Sequence, residues 1–447
     1  MTAEFANTST PFTRTPFTRT PLPVAVIGAG PVGLAMAAHL LERRLDVVIF
    51  ERDEAVAASQ RAWGHVRLFS PWRYNVDRAA ASLLADSGWT APASDGMPTG
   101  QELYENYLAP LAAQPAIHSR LHLGHRVEAV TRFGMDKVKT RGRESAPFVI
   151  RTRNTDGLRE EWHASVVVDA SGTWFTPNPL GAFGLPADGE HEASDRISYG
   201  VPDVAGTRSS QFAGRSTLVV GAGHSAANSI IALIELAEKH PGTEIAWVTR
   251  GSNLDRVFGG GSADGLPARG ALGARLRSLV DDGRVTMIDH FRIGAVQRVS
   301  DRYDDHYEVH GERHGTRIAV GPFDNIIAAT GQRPDLALTR ELRLSIDTAL
   351  ESATALAPLI DPNEHSCGTV RPHGARELSH PEPGFYTIGS KSYGRAPTFL
   401  LATGYEQARS VAAMIAGDID AATRVELDLP ETGVCSVGAG AGGACCS

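Results

Sequence analysis

The chain has 447 residues, of which 42% are hydrophobic and 21% charged, and a net charge of −8. That length allows two or three domains with well-buried cores, and the composition is that of an ordinary globular protein. The acidic balance argues against nucleic acid or an anionic membrane as a partner, because both need a basic face.

Residues 1–20 carry a near-repeat of Thr-Pro-Phe-Thr-Arg with no apolar period and read as a disordered leader. No apolar segment of signal-peptide kind opens the chain and no window suits a membrane span, so a cytoplasmic protein is expected. Residues 23–28 then form a short apolar run that breaks into glycines, 31–44 have helical composition, and 46–50 are apolar again. That succession reads as strand, helix, strand. A helix is expected at 101–113, β-rich stretches at 121–132 and 148–152, and a strand at 166–170. The strand–helix–strand succession recurs at 216–221, 225–240 and 244–249, which points to two doubly wound units. The apolar run 325–329 reads as a strand returning to the first unit. A last helix is expected at 399–416, followed by a tail in which 437–444 are almost entirely Gly and Ala.

Both repeated units carry a glycine signature at the turn from strand to helix. The first is Gly28-Ala-Gly30-Pro-Val-Gly33, with Glu51 and Arg52 at the end of the next strand. The glycines permit a tight turn, close approach of backbone to a pyrophosphate and close packing of helix on strand. A carboxylate at position 51 suits the hydroxyls of an unphosphorylated ribose, and the helix start supplies N–H donors to phosphate. The second is Gly221-Ala-Gly223-His-Ser225-Ala226, whose following strand ends in Arg250 instead of an acid. Arginine at that edge favours a 2′-phosphate, hence NADPH over NADH. Two dinucleotide sites on one chain imply hydride transfer from nicotinamide to a flavin, so FAD is expected at the first and NADPH at the second.

Ala329-Thr-Gly331-Gln-Arg-Pro-Asp335 resembles the junction segment of two-dinucleotide-domain flavoproteins, and Val168-Asp-Ala-Ser-Gly172-Thr-Trp is similar to its earlier counterpart. The expected fold class is α/β, an FAD-binding Rossmann-like domain with an inserted NAD(P)-binding Rossmann-like domain. Its expected parts are 21–180 and 321–418 for the FAD domain, 181–320 for the NADPH domain, and 419–447 for a flexible Cys/Gly-rich tail. His65-Val-Arg67-Leu-Phe-Ser-Pro-Trp-Arg-Tyr-Asn75, followed by Met97-Pro-Thr-Gly-Gln, is similar to flavin-containing monooxygenases. By that resemblance Asn75 is the catalytic residue near the flavin, Trp63 and Arg67 touch flavin, Val127 touches adenine, and Gly331 and Gly389 bind cofactor. The segment from Gly389 through Ser390 and Lys391 to Gln407 resembles bacterial flavin monooxygenases encoded in arsenic-resistance operons. In the wider superfamily an Asp stands where this chain has Ser390. The monooxygenase fingerprint Phe-x-Gly-x-x-x-His is absent as written, which points to a sister group.

Four cysteines occur, and Cys435, Cys445 and Cys446 crowd the end of the chain. None belongs to a Cys-x-x-Cys pair, which argues against a disulfide reductase. The three thiols are candidate ligands for a soft metal or metalloid. The resemblance implies a monooxygenase in which reduced flavin and oxygen form a C4a-peroxyflavin, with an arsenical or another small molecule as substrate. Two rivals stay open: a reductase that passes electrons to the C-terminal thiols, and a non-catalytic redox-sensing flavoprotein. The expected partners are a small-molecule substrate and oxygen, with neither nucleic acid nor membrane; oligomerisation stays open.

Overall fold

The computed structural model describes residues 21–259, 267–300, 305–364 and 370–427. The expected leader and all four cysteines, Cys367, Cys435, Cys445 and Cys446, lie outside them. No helix among the described residues is long and apolar enough to cross a membrane.

Two five-stranded parallel sheets organise the molecule. The first contains β1 (Val24–Ile27), β2 (Val47–Phe50), β3 (Leu121–His122), β7 (Val166–Asp169) and β16 (Phe385–Thr387), in the order β16-β7-β1-β2-β3. Between β3 and β7 the chain makes an antiparallel sheet of β4 (Arg126–Arg132), β5 (Phe148–Arg153) and β6 (Arg159–Ala164). Alternation along β1 explains the layers: Val24 and Val26 face the helices with Leu34 and Met36, whereas Ala25 and Ile27 pack on Val130, Phe148 and Ile150 of the antiparallel sheet. A parallel sheet covered on both faces requires this continuous apolar run.

The second parallel sheet repeats the plan. It contains β8 (Ile197–Tyr199), β9 (Ser216–Val220), β10 (Glu244–Val248), β11 (Thr286–Ile288) and β15 (Asn325–Ala328), in the order β11-β10-β9-β15-β8. Val219 packs on the helix His224–Lys239, while Leu218 and Val220 pack on β12 (Phe291–Ser300), β13 (Asp305–Arg313) and β14 (Thr316–Phe323). The fold is therefore α/β, a Rossmann-like unit inserted in another.

The run 325–329 does not return to the first sheet. As β15 it pairs with β9 and β8, because Asp324 alone separates it from β14, and Asp324 is bonded in both directions to Ser216 at the start of β9. The return is made by β16 on β7. The expected helix at 101–113 forms as Gly100–Leu103, a π-helical turn Tyr104–Leu108 and Ala109–Ala112. Pro110 accounts for the irregularity: it has no N–H to offer the Asn106 carbonyl, which instead accepts from Trp89 Nε1 at 2.8 Å.

Candidate functional site

A cleft of about 370 Å³ opens beyond the carboxyl ends of β1, β2, β7 and β16. In a doubly wound sheet this is where strand order reverses and where ligands are received. The first glycine turn forms its floor. Gly28 has φ +99°, and a Cβ there would lie 2.8 Å from the Ala170 carbonyl oxygen. A Cβ at Gly33 would collide with the Gly28 carbonyl oxygen, so helix and strand pack at glycine contact only. At Gly30 the nearest atom to a Cβ is 4.0 Å away, so the space beside Gly30 belongs to the cleft. No side chain caps the helix Pro31–Glu42, which leaves its first N–H groups for an anion.

Glu51 closes this turn from β2. Its Oε2 accepts the Ala29 N–H at 2.8 Å and its Oε1 accepts the Asp53 N–H at 3.1 Å. Burial pushes its carboxyl pKa above the ordinary value, and the backbone N–H bonds offset that only in part. Both oxygens retain lone pairs for further donors. Next to it the Arg52 guanidinium stacks on the Phe175 ring at 3.8 Å, joining β2 to the segment that leaves β7. Trp63 lines the cleft and packs against Gly100, where a Cβ would come within 2.6 Å of the ring. Val127 lines it from β4 at an irregularity in the pairing with β5. Gly389, with φ +72°, and Ser390 line it beyond β16.

Two residues expected at the flavin are not among those that line this cleft. Asn75 is fully buried, and its Nδ2 donates to the Ser70 and Pro71 carbonyls at 2.7 and 3.0 Å. Its own carbonyl accepts from Tyr405 at 2.9 Å. These bonds fix the 70–75 turn, and Asn75 is absent from the cleft wall. Arg67 is exposed, pairs with Glu102 at 3.5 Å and donates to the Met97 carbonyl. Packing, which spacing along the chain does not encode, decides which way each of them faces.

One part of the site had a weak sequence signal. Lys391, almost wholly buried, donates to Asp169 Oδ2 at 2.6 Å and to Ser171 Oγ at 3.1 Å. Ser171 lines the cleft and bonds back to Asp169 Oδ1 at 2.6 Å. A lysine amid serines after a partly buried strand is the only local hint of this pair, and its acidic partner is 222 positions away.

The second glycine turn is open. Gly221 has φ +130°, and a Cβ there would collide with the Ala329 carbonyl oxygen, while a Cβ at Gly223 would meet nothing within 4 Å among the described residues. Ser225 is exposed, Ala226 is buried in the helix-side core, and no side chain caps the helix His224–Lys239. Arg250 is exposed beyond β10 and donates to the Ala182 carbonyl at 3.3 Å. The His224 ring meets Phe69 of the first unit edge-on at 5.3 Å. The two crossovers between units are fastened together: Asn178 donates to the Gly331 carbonyl at 2.9 Å, and Arg333 Nε donates to Asn178 Oδ1 at 2.8 Å. Cys435, Cys445 and Cys446 lie outside the described residues.

The family described as pyridine nucleotide-disulphide oxidoreductase matches residues 25–366. No curated protein matches the chain in sequence. Among solved structures, the bacillithiol disulfide reductase of Bacillus cereus is similar with a TM-score of 0.65 and 17% identity, covering 89% of this chain and 99% of its own. The FAD-bound cadaverine monooxygenase of the desferrioxamine pathway of Erwinia amylovora gives a TM-score of 0.61 and 15% identity, covering 92% and 98%. A flavin-containing monooxygenase of Stenotrophomonas maltophilia gives 0.53 and 21%, covering 89% and 98%. At these identities the likeness is one of fold.

Proposed function

The chain belongs to the pyridine nucleotide-disulphide oxidoreductase family, and we propose that it is an FAD-dependent, NADPH-using monooxygenase of a small molecule. Disulfide reductases and monooxygenases share this fold, so the electron acceptor has to separate them. One observation carries the choice: none of the chain's four cysteines, all of which lie outside the described residues, belongs to a Cys-x-x-Cys pair in the sequence. A disulfide reductase needs such a pair beside its flavin, so oxygen is the acceptor in this proposal.

The glycine cradle fits a dinucleotide, because among the described residues no atom comes closer than 4.0 Å to a Cβ at Gly30. Gly28, Gly30, Gly33 and the uncapped helix start hold the pyrophosphate of FAD, and Glu51 takes ribose hydroxyls on its remaining lone pairs. Arg52 with Phe175, Trp63, Val127 and Gly389 form the walls. Gly331 fixes the crossover, and Asn75 acts as a positioning residue for the 70–75 turn. Gly221, Gly223, Ser225 and Ala226 receive the NADPH pyrophosphate, and Arg250 its 2′-phosphate. Bound FAD supplies hydride acceptance and reaction with oxygen. Phe399, Leu401 and Trp174 give the cleft an apolar wall that keeps water from the reacting atoms.

A trivalent arsenical is the substrate class suggested by Cys435, Cys445 and Cys446, since thiolates are soft ligands. The test is stoichiometry with isotopically labelled oxygen. One oxygen consumed and one labelled product formed per NADPH supports the reading. Peroxide as the sole product with every substrate tried, or thiol-dependent turnover without oxygen, overturns it.

A further inference from the structure

The connection between β11 and β12 is the pair Asp289-His290, and the β13–β14 turn is His314-Gly315. Pairing of Phe291 with Arg313 brings both connections to the same end of the three-stranded sheet. There one donor atom from each of Asp289, His290 and His314 lies within 4.8 Å of the others. The two imidazole rings are 4.6 Å apart and inclined by 37°. Both histidines have left-handed backbones, with φ 52° and 48°, a region uncommon outside glycine.

The carboxylate is already oriented. Arg313 Nη2 donates to Asp289 Oδ1 at 2.6 Å and Arg313 Nε to the Asp289 carbonyl at 3.0 Å. The other oxygen, Oδ2, is left 3.3 Å from His290 Nδ1. That nitrogen is shielded from solvent and makes no well-directed hydrogen bond. Two imidazoles and a carboxylate are a donor set for zinc, cobalt or nickel, and a hydrogen-bonded carboxylate is how ligands in such sites are held. None of the three residues lines the nucleotide cleft.

We propose that Asp289, His290 and His314 bind one divalent transition-metal ion, which cross-links the two turns and keeps a fourth position for water. The ion is independent of the flavin chemistry.

The experiment uses the full chain with Cys367, Cys435, Cys445 and Cys446 replaced by Ser, so that thiols do not compete. Should that variant fail to fold, the native chain with its thiols alkylated takes its place. Co²⁺ is titrated by absorbance and Zn²⁺ by calorimetry. One equivalent should bind without a thiolate charge-transfer band. His290→Asn and His314→Asn, which keep a residue tolerant of the left-handed region, should each weaken binding roughly tenfold or more, with circular dichroism unchanged. Retained affinity in either variant, or no binding at millimolar metal, overturns the site.

Discussion

Around the first glycine turn the flanking side chains are held by the protein: Glu51 is buried against Ala29, Arg52 lies on Phe175, and the Lys391–Asp169 pair is sealed beside the cleft. Around the second, a Cβ at Gly223 would meet none of the described residues, Ser225 and Arg250 are exposed, and the turn is open. Both turns obey the same backbone rule, seen in the tight contacts of Gly28 with Ala170 and of Gly221 with Ala329. Enclosure suits a cofactor that stays through turnover. Openness suits a nucleotide that must arrive and leave in each cycle.

The largest effect expected on this contrast comes from Gly33→Ala, whose Cβ collides with backbone. It should abolish folded, flavin-containing protein, read by soluble yield and FAD content. Gly30→Ala has room within the protein and should leave thermal stability within about 0.5 kcal/mol, while FAD retention is lost. If Gly30→Ala holds stoichiometric FAD, the cradle is not the pyrophosphate site.

Next in size is Lys391→Met, which strands a buried Asp169 carboxylate. A loss of about 3–5 kcal/mol is expected in denaturant unfolding, with most of it recovered in Asp169→Leu/Lys391→Met. NADP⁺ affinity at the open turn should stay near native in the double variant. A single variant as stable as the native chain would remove the buried pair from the account of enclosure.

Arg250→Ala should raise the NADPH Michaelis constant roughly tenfold or more and leave that for NADH nearly unchanged, since a charge-assisted hydrogen bond contributes about 1.5–3 kcal/mol. Equal changes for both nucleotides would show that Arg250 does not read the 2′-phosphate.

A smaller, pH-dependent effect belongs to Glu51. Burial raises its carboxyl pKa in the protein alone, and ribose hydroxyls that donate to the charged form lower it on binding. FAD affinity should therefore be full above the raised pKa and fall as pH drops through it. In Glu51→Gln fluorescence titrations should show affinity that is weaker and flat over the same range. A native-like pH slope in that variant would assign the titration to another group.

The smallest effect on either turn should come from deleting residues 435–447. FAD content and NADPH oxidation should remain, while binding of trivalent arsenicals, measured by calorimetry, is lost. Equal arsenite binding by both forms, or binding by neither, would end the metalloid reading of the three thiols.

By itself the sequence determined where the two strand–helix turns fall and that the fold is doubly wound α/β. Glycine spacing and apolar runs act over a few residues, and the backbone permits few alternatives there. It misplaced Asn325–Ala328, because an apolar strand carries no label for its sheet; the short link from β14 decided that. Tertiary structure alone decided that Asn75 turns inward to hold Ser70 and Pro71, and that Arg67 turns outward to Glu102. It alone brought Lys391 to Asp169, and Asp289 and His290 to His314. Such groups meet only after sheets pack and hairpins register, and no local spacing along the chain encodes where a distant partner comes to lie.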